Sequence, residues 1–223
     1  MLHRFNGKDG WWPEAGLIFD ALGNLYGTTA SGGDVGCDQA GCGIVFELTP
    51  TAGGNWAEKV LHNFNGPNGS GPGDLTFDAS GNLYGATFQG GNGACSGPDV
   101  GSGIVFELTP KANGGWTENV LHDFNNDGRD GIFPSGTPIF DATGDLYGTT
   151  AQGGTSSCEY GCGTVFKLTR KTSGGWAEKV LYSFDGEDGS LPSGLIFDAA
   201  GNLYGTTTYG GAYGLGTAFK ITP

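Results

Sequence analysis

Basic residues are scarce in this sequence. Ten Lys and Arg stand against 23 Asp and Glu, a formal charge of −13. That balance lacks the basic patches that DNA, RNA and anionic membranes require, so neither nucleic-acid binding nor membrane insertion is expected. No run of 18 apolar residues exists, which excludes a helical transmembrane span. No signal peptide opens the chain, and Met1 is followed at once by strand-like residues, so any leader is expected to have been removed already. Helix formers never recur at helical spacing for more than a few residues, which predicts almost no helix. The motifs G-x-S-x-G, H-E-x-x-H and the P-loop are all missing, which removes the commonest sequence signatures of hydrolases and NTPases.

Glycine, by contrast, is in excess: 46 of 223 residues, about three times the usual share of roughly 7%. It recurs at fixed offsets beside Phe, Leu, Tyr and Trp, as in many tight turns between short strands. The stretch D-x-x-G-(N/D)-L-Y-G-(T/A)-T appears at residues 20–29, 78–87, 141–150 and 198–207. Leu2, Leu61, Leu121 and Leu181 lie 59, 60 and 60 residues apart. Repeats of this length stack into one body, so a single domain is expected over residues 1–223.

Each period holds four strand-like runs, here called a, b, c and d. In the second unit they are residues 74–78 (DLTFD), 82–88 (NLYGATF), 103–109 (GIVFELT) and 116–124 (WTENVLHDF). Four antiparallel strands per 60-residue period predict an all-β fold, a four-bladed β-propeller. The expected blades cover about residues 15–64, 74–124 and 135–184, with the last at 194–223 plus residues 2–5. The N-terminal LHRF matches strand d, which the fourth unit lacks. Pairing of this strand into the last blade is expected to close the ring. It is half the length of the others, because Trp56, Trp116 and Trp176 begin theirs and nothing precedes Met1. Either the closure is short or the chain is part of a longer array.

The combined pattern F-(N/D)-G-x-(D/N)-G, P-x-G-x-x-x-F-D, G-N-L-Y-G-T-T and G-x-V-F-x-L-T-P resembles the Gloeobacter/Verrucomicrobia-type tandem repeat of exported bacterial surface proteins. The D-x-x-G-N-L-Y core is also similar to NHL-type propeller blades. The resemblance spans essentially the whole chain. It implies a propeller and a secreted or cell-surface setting, and it carries over no catalytic residues. Ala86, Pro138 and Asp145 depart from the pattern in ways that look neutral for the fold.

Five cysteines are present. Cys37 and Cys42 share a loop in unit 1, and Cys158 and Cys162 share its counterpart in unit 3. Cys95 stands at the matching place in unit 2, where the partner position is Ser102. The simplest reading is two local disulfides with Cys95 unpaired. Closing loops this short stabilises by roughly 2 kcal/mol on the chain-entropy model. Disulfides imply an oxidising compartment, hence export. The rival readings are free thiols and a four-cysteine zinc site, for which the C-x4-C and C-x3-C spacings are irregular.

A residue present in all four units serves the blade, whereas a functional constellation needs particular groups meeting once. Asp20, Asp78, Asp141 and Asp198 are therefore read as turn acceptors, and Tyr26, Tyr84, Tyr147 and Tyr204 as packing between blades. Trp56, Trp116 and Trp176 are read as covering the outer blade edge. His3, His62 and His122 occupy one repeat position, with Tyr182 in the fourth. They should lie far apart around the ring, which argues against a catalytic triad.

The long b–c and d–a loops should emerge on one face, and loops over a rigid scaffold are where binding residues collect. They carry the non-repeating aromatics Trp11, Trp12, Phe133, Tyr160, Tyr209 and Tyr213, suited either to stacking on sugar faces or to filling blade seams. They also carry single-copy Glu14, Asp38, Arg129 and Glu159. Ligand contacts are expected at Trp11, Trp12, Arg129, Phe133, Tyr160, Tyr209 and Tyr213. The acidic segment NNDGRDG makes Asp127 and Asp130 the candidate oxygen ligands for calcium, although it lacks a complete twelve-residue calcium loop. Asp-Gly and Asn-Gly are otherwise turn formers.

These features predict a secreted or cell-surface binding module, not an enzyme, engaging glycan or a protein partner through the loop face. One alternative is a structural unit of an extracellular array that self-associates. The other is a polysaccharide hydrolase or lyase using a pair of loop carboxylates.

Overall fold

The computed structural model of the protein describes residues 1–33, 37, 40–92, 101–156 and 158–223. Among these there is no helix, and fifteen strands form four separate antiparallel sheets. Blade 1 contains β1 (Ile18–Phe19), β2 (Leu25–Thr29), β3 (Ile44–Pro50) and β4 (Trp56–Asn63). Blade 2 contains β5 (Ser70–Phe77), β6 (Leu83–Gln89), β7 (Ile104–Pro110) and β8 (Trp116–Asp123). Blade 3 contains β9 (Gly131–Phe140), β10 (Leu146–Gly153), β11 (Thr164–Arg170) and β12 (Trp176–Ser183). Blade 4 has only β13 (Ser190–Phe197), β14 (Leu203–Tyr209) and β15 (Thr217–Ile221). Strand order follows chain order in every sheet. This is a propeller-like repeat fold.

The repeated D-x-x-G-N-L-Y stretch forms the first hairpin. In blade 2, Asp78 Oδ1 accepts the Ser80 and Asn82 N–H groups at 2.8 and 2.9 Å. Its Oδ2 accepts from the Asn82 amide and from the Tyr84 hydroxyl at 2.8 and 3.2 Å. Gly81 takes φ 83°, open to glycine without strain. The same set recurs at Asp20 and Asp198. At Asp141 the residue in the asparagine's place is Asp145, and the Thr143 hydroxyl donates to Oδ1 at 2.7 Å instead. These aspartates are turn acceptors, and each tyrosine is tied to its own hairpin.

Glycine in the L-Y-G triplet has a packing cause. Gly85 pairs across strands with Phe106, whose ring lies where a Cβ would stand, 2.6 Å away. Gly27 and Gly148 pair likewise with Phe46 and Phe166. Each of these rings is buried. It also meets, edge to face, the phenylalanine that ends the preceding strand d. Phe64–Phe106, Phe124–Phe166 and Phe184–Phe219 have centroids 5.0–5.1 Å apart. Such pairs contribute about 0.5–1.5 kcal/mol each beyond their buried area. Blade joins blade through this ladder and through contacts of Tyr26, Tyr84 and Tyr147 with Phe77, Phe140 and Phe197. Trp116 belongs to it too, packing toward Tyr26 of blade 1.

Both expected disulfides form, Cys37–Cys42 and Cys158–Cys162. Cys95 lies outside the described residues.

The expected pairing of the N-terminal segment into blade 4 is not observed. Residues 1–6 form no strand, and β15 has no neighbour on its outer side among the described residues. Phe5 packs on blade 1, 5.0 Å from Phe46, as Phe64 after strand d of blade 1 packs on Phe106 of blade 2. β2, the first five residues of β6 and the first six of β10 are buried, whereas β14 is open over most of its length.

Candidate functional site

The loop face takes its shape from the entry into each strand a. There Trp12, Phe133 and Leu191 occupy one repeat position, directly before Pro13, Pro134 and Pro192. All three have positive φ, at 59°, 60° and 53°. They are the only non-glycine residues with positive φ among the described residues. Blade 2 uses Gly71 at this place, with φ 65°. A left-handed conformation costs a residue with a Cβ about 1–2 kcal/mol, and the following proline disfavours helical geometry further. The conformation is held by the neighbouring blade: Phe133 N–H donates to Ser102 O at 2.8 Å and Leu191 N–H to Cys162 O at 3.0 Å. Three of four units thus carry a large apolar side chain where glycine fits without strain. Strain of this kind concentrates at functional surfaces.

Two aromatic pairs stand on this face. The Trp11 and Trp12 rings lie 4.5 Å apart at 35°, and both residues are exposed. With Phe5, Asn6, Gly7, Gly10 and Pro13 they line a shallow cleft of about 510 Å³. Phe88 and Phe133 stack across the seam between blades 2 and 3, 4.9 Å apart at 17°. A depression of about 460 Å³ draws on three blades and includes Glu14, Pro72, Asp74, Phe88 and Gly136. Asp74 ties those blades together. Its Oδ1 accepts Gly16 N–H at 2.6 Å and its Oδ2 the Thr137 hydroxyl at 3.1 Å. Phe88 and Asp74 were not among the expected site residues, yet both occur once only, which is the signal that could have found them.

The other expected residues do not join this group. Tyr160, Tyr209 and Tyr213 are exposed, and no aromatic contact links them to another ring among the described residues. Tyr160 lies beside the Cys158–Cys162 bridge, while Tyr209 and Tyr213 belong to the open blade 4. Arg129 is exposed in the blade 3 d–a loop, where its N–H donates to Asp127 Oδ1 at 2.8 Å. Asp127 also accepts Asp130 N–H at 3.0 Å, and these bonds hold its carboxyl below the usual range. Asp130 turns the other way: its Oδ2 lies 3.0 Å from His122 Nε2. Glu159 is exposed, and Asp38 lies outside the described residues.

Sequence reasoning placed the histidines far apart but missed their partners. Each sits at a blade seam with a loop acid or amide and a glutamate of the next blade. The sets are His3, Asp9 and Glu58; His62, Asn68 and Glu118; His122, Asp130 and Glu178. Oε1 of Glu58, Glu118 and Glu178 is buried and accepts no hydrogen bond. Burial pushes the Glu118 and Glu178 carboxyls up to about 7 and pulls His62 down to about 4. The seam glutamates follow strand d's tryptophan by two residues in three units. They repeat, and so read as surface charge on a strand rather than as a site.

Residues 36–223 match the Gloeobacter/Verrucomicrobia repeat. The chain belongs to that repeat family. No curated protein matches it. Among solved structures it is similar to a gluconolactonase from Xanthomonas campestris, at TM-score 0.55 and 18% identity over 93% of this chain and 62% of the other. Virginiamycin B lyase from Staphylococcus aureus aligns at TM-score 0.52 and 16% identity, over 99% of this chain and 59% of the lyase. PorZ, a surface component of the type-IX secretion system of Porphyromonas gingivalis, aligns at TM-score 0.52 and 13% identity, over 91% of this chain and 27% of PorZ. Each likeness is one of fold. The repeat protein spans less than two thirds of the length of these neighbours.

Proposed function

We propose that this repeat protein is a secreted or cell-surface binding module whose loop face engages glycan or a protein partner. The observation that carries the reading is the strained placement of Trp12, Phe133 and Leu191 on one face. It keeps large apolar groups presented where blade 2 shows that glycine would serve the fold. Paired, partly exposed aromatic rings beside a polar depression suit stacking on the apolar face of a sugar. The two disulfides favour an oxidising, extracellular setting. A hydrolase or lyase would need a free carboxylate pair. Glu14 and Asp74 share a depression, but both Asp74 oxygens are engaged with neighbouring blades. Glycan-array binding by the wild-type protein, lost on the double change Trp11→Ala and Trp12→Ala with the fold intact by circular dichroism, is the expected result. Binding that survives the double change would move the site off this face.

A further inference from the structure

The three histidine sets at the seams share one geometry and differ in one residue. In each, an imidazole meets a side chain of the following loop and a glutamate from strand d of the next blade. The imidazoles are fixed by edge contacts with Phe5, Phe64 and Phe124, at centroid distances of 4.8, 4.7 and 4.5 Å. All three direct Nε2 at the loop side chain.

At His62 that side chain is an amide. Asn68 Oδ1 accepts Asn65 N–H at 2.7 Å, which turns Nδ2 inward. Its two N–H groups donate to His62 Nε2 at 3.1 Å and to Glu118 Oε2 at 2.9 Å. Two donors therefore meet two acceptors. Asp9 stands in the same place after Phe5 as Asn68 does after Phe64, and its Oδ1 likewise accepts Asn6 N–H at 2.8 Å. The atom turned inward is now a carboxylate oxygen, 3.2 Å from His3 Nε2. At the seam of blades 2 and 3, Asp130 Oδ1 accepts Gly131 N–H at 2.7 Å, and its Oδ2 lies 3.0 Å from His122 Nε2.

Both sets thus gather lone pairs where the Asn68 set supplies protons. Asp130 is 7% exposed. Oε1 of Glu58 and of Glu178 is buried, and neither oxygen of these two glutamates accepts a hydrogen bond among the described residues. Among the described residues, no lysine or arginine pairs with Asp9, Glu58, Asp130 or Glu178. Buried charges are neutralised by a partner or by a metal ion. The three ligand atoms of each set lie within 4.8 Å of one another, against an edge of about 3.4 Å for a tetrahedron of ligands around zinc. One imidazole nitrogen with two carboxylates suits a first-row divalent ion, whereas calcium takes oxygen ligands. The Asn6 and Asn125 amides brace the inward aspartate oxygens at 2.7 and 3.2 Å, as outer partners of metal ligands do.

We propose that His122, Asp130 and Glu178 hold a zinc-class divalent cation at the seam of blades 2 and 3. His3, Asp9 and Glu58 hold a second one on blade 1, and water completes each shell. Each ion ties a loop to strand d of the following blade and so fastens the seam. Between blades 1 and 2 the Asn68 amide does this without a metal.

Elemental analysis of the whole chain, stripped with chelator and then dialysed against Zn2+, tests the proposal. Two zinc ions per chain are expected, with a higher Tm than in the stripped protein. Asp130→Asn copies the Asn68 set and so is compatible with the fold; it should retain one ion. Adding Asp9→Asn should remove the other, and zinc should then leave Tm unchanged. The converse change Asn68→Asp should add a third ion. Wild-type uptake no greater than that of the double variant would overturn the proposal, since imidazolium protons would then balance the carboxylates. An Asp130→Asn protein that binds as much zinc as the wild type, or an Asn68→Asp protein that gains none, would also overturn it. A larger Tm rise with calcium than with zinc would reject the ligand chemistry.

Discussion

Replacing Gly85 with alanine should be among the more damaging single-methyl changes in the molecule. The new Cβ would stand 2.6 Å from Phe106 Cζ, 3.0 Å from Phe106 Cε1 and 3.1 Å from Leu75 Cδ2. Carbon atoms pack at about 3.5–4.0 Å, so the ring must move by most of an ångström. It has nowhere to go. Phe106 and its partner Phe64 are fully buried, and Leu75 is nearly so. Overpacking of this sort costs about 1–3 kcal/mol, offset by roughly 0.5 kcal/mol from a stiffer unfolded chain. A net loss of about 2 kcal/mol lowers Tm by about 4–8 °C for a chain of this size. Gly27→Ala meets Phe46 and Leu17 at similar distances. There Leu17 is exposed and Phe5 is held by no strand, so both can yield and the loss should be smaller. Gly81→Ala meets no atom within 4 Å and costs only its positive φ, about 1 kcal/mol. Thermal unfolding followed by circular dichroism should rank Gly85 above Gly27 and Gly27 above Gly81. A Gly85→Ala protein as stable as Gly81→Ala would refute the ring-over-glycine account of the repeat.

The seam glutamates predict a pH effect. With its carboxyl raised to about 7, native Glu118 holds a proton that the unfolded chain releases near 4.5. Its contribution is fully present below about pH 4.5 and is lost as pH rises toward 7. The stability advantage of Glu118→Gln over wild type should therefore grow by up to about 3 kcal/mol across that window, measured by urea unfolding at stepped pH. His62, lowered to about 4, acts in the opposite direction. Opening the Cys37–Cys42 bridge by the double change to serine should cost roughly 2 kcal/mol, and adding reductant to the wild type should reproduce part of the Tm loss. Trp12→Gly relieves backbone strain while losing a half-exposed ring. Stability should change by less than about 1 kcal/mol while ligand binding falls at least tenfold by titration calorimetry.

Repetition made the blades legible. Four copies of D-x-x-G-N-L-Y fix the hairpin; the aspartates take the turn role that their fourfold presence implies, and Tyr26, Tyr84 and Tyr147 the seam role. The cysteine pairs were legible for the same reason, since two units share one loop spacing. Closure was less legible. LHRF matches strand d by pattern, and Phe5 takes strand d's place on the strand c phenylalanine of the following blade, but pattern does not say whether the segment reaches a sheet edge, and residues 1–6 form no strand. The seam triads were missed because their glutamates alternate along strand d as surface residues do. They meet a histidine only through the blade-to-blade stagger. On the loop face, single occurrence singled out Trp12 and Phe133, but the positive φ that links them with Leu191 depends on the neighbouring blade and leaves no mark in composition.

Hydrogen exchange on the protein bound to the glycan or partner that array screening identifies would test the binding face most directly. Protection is predicted at residues 10–15, 88–90 and 131–136, with the hairpins at 20–24, 78–82, 141–145 and 198–202 unchanged. Protection confined to those hairpins would contradict it.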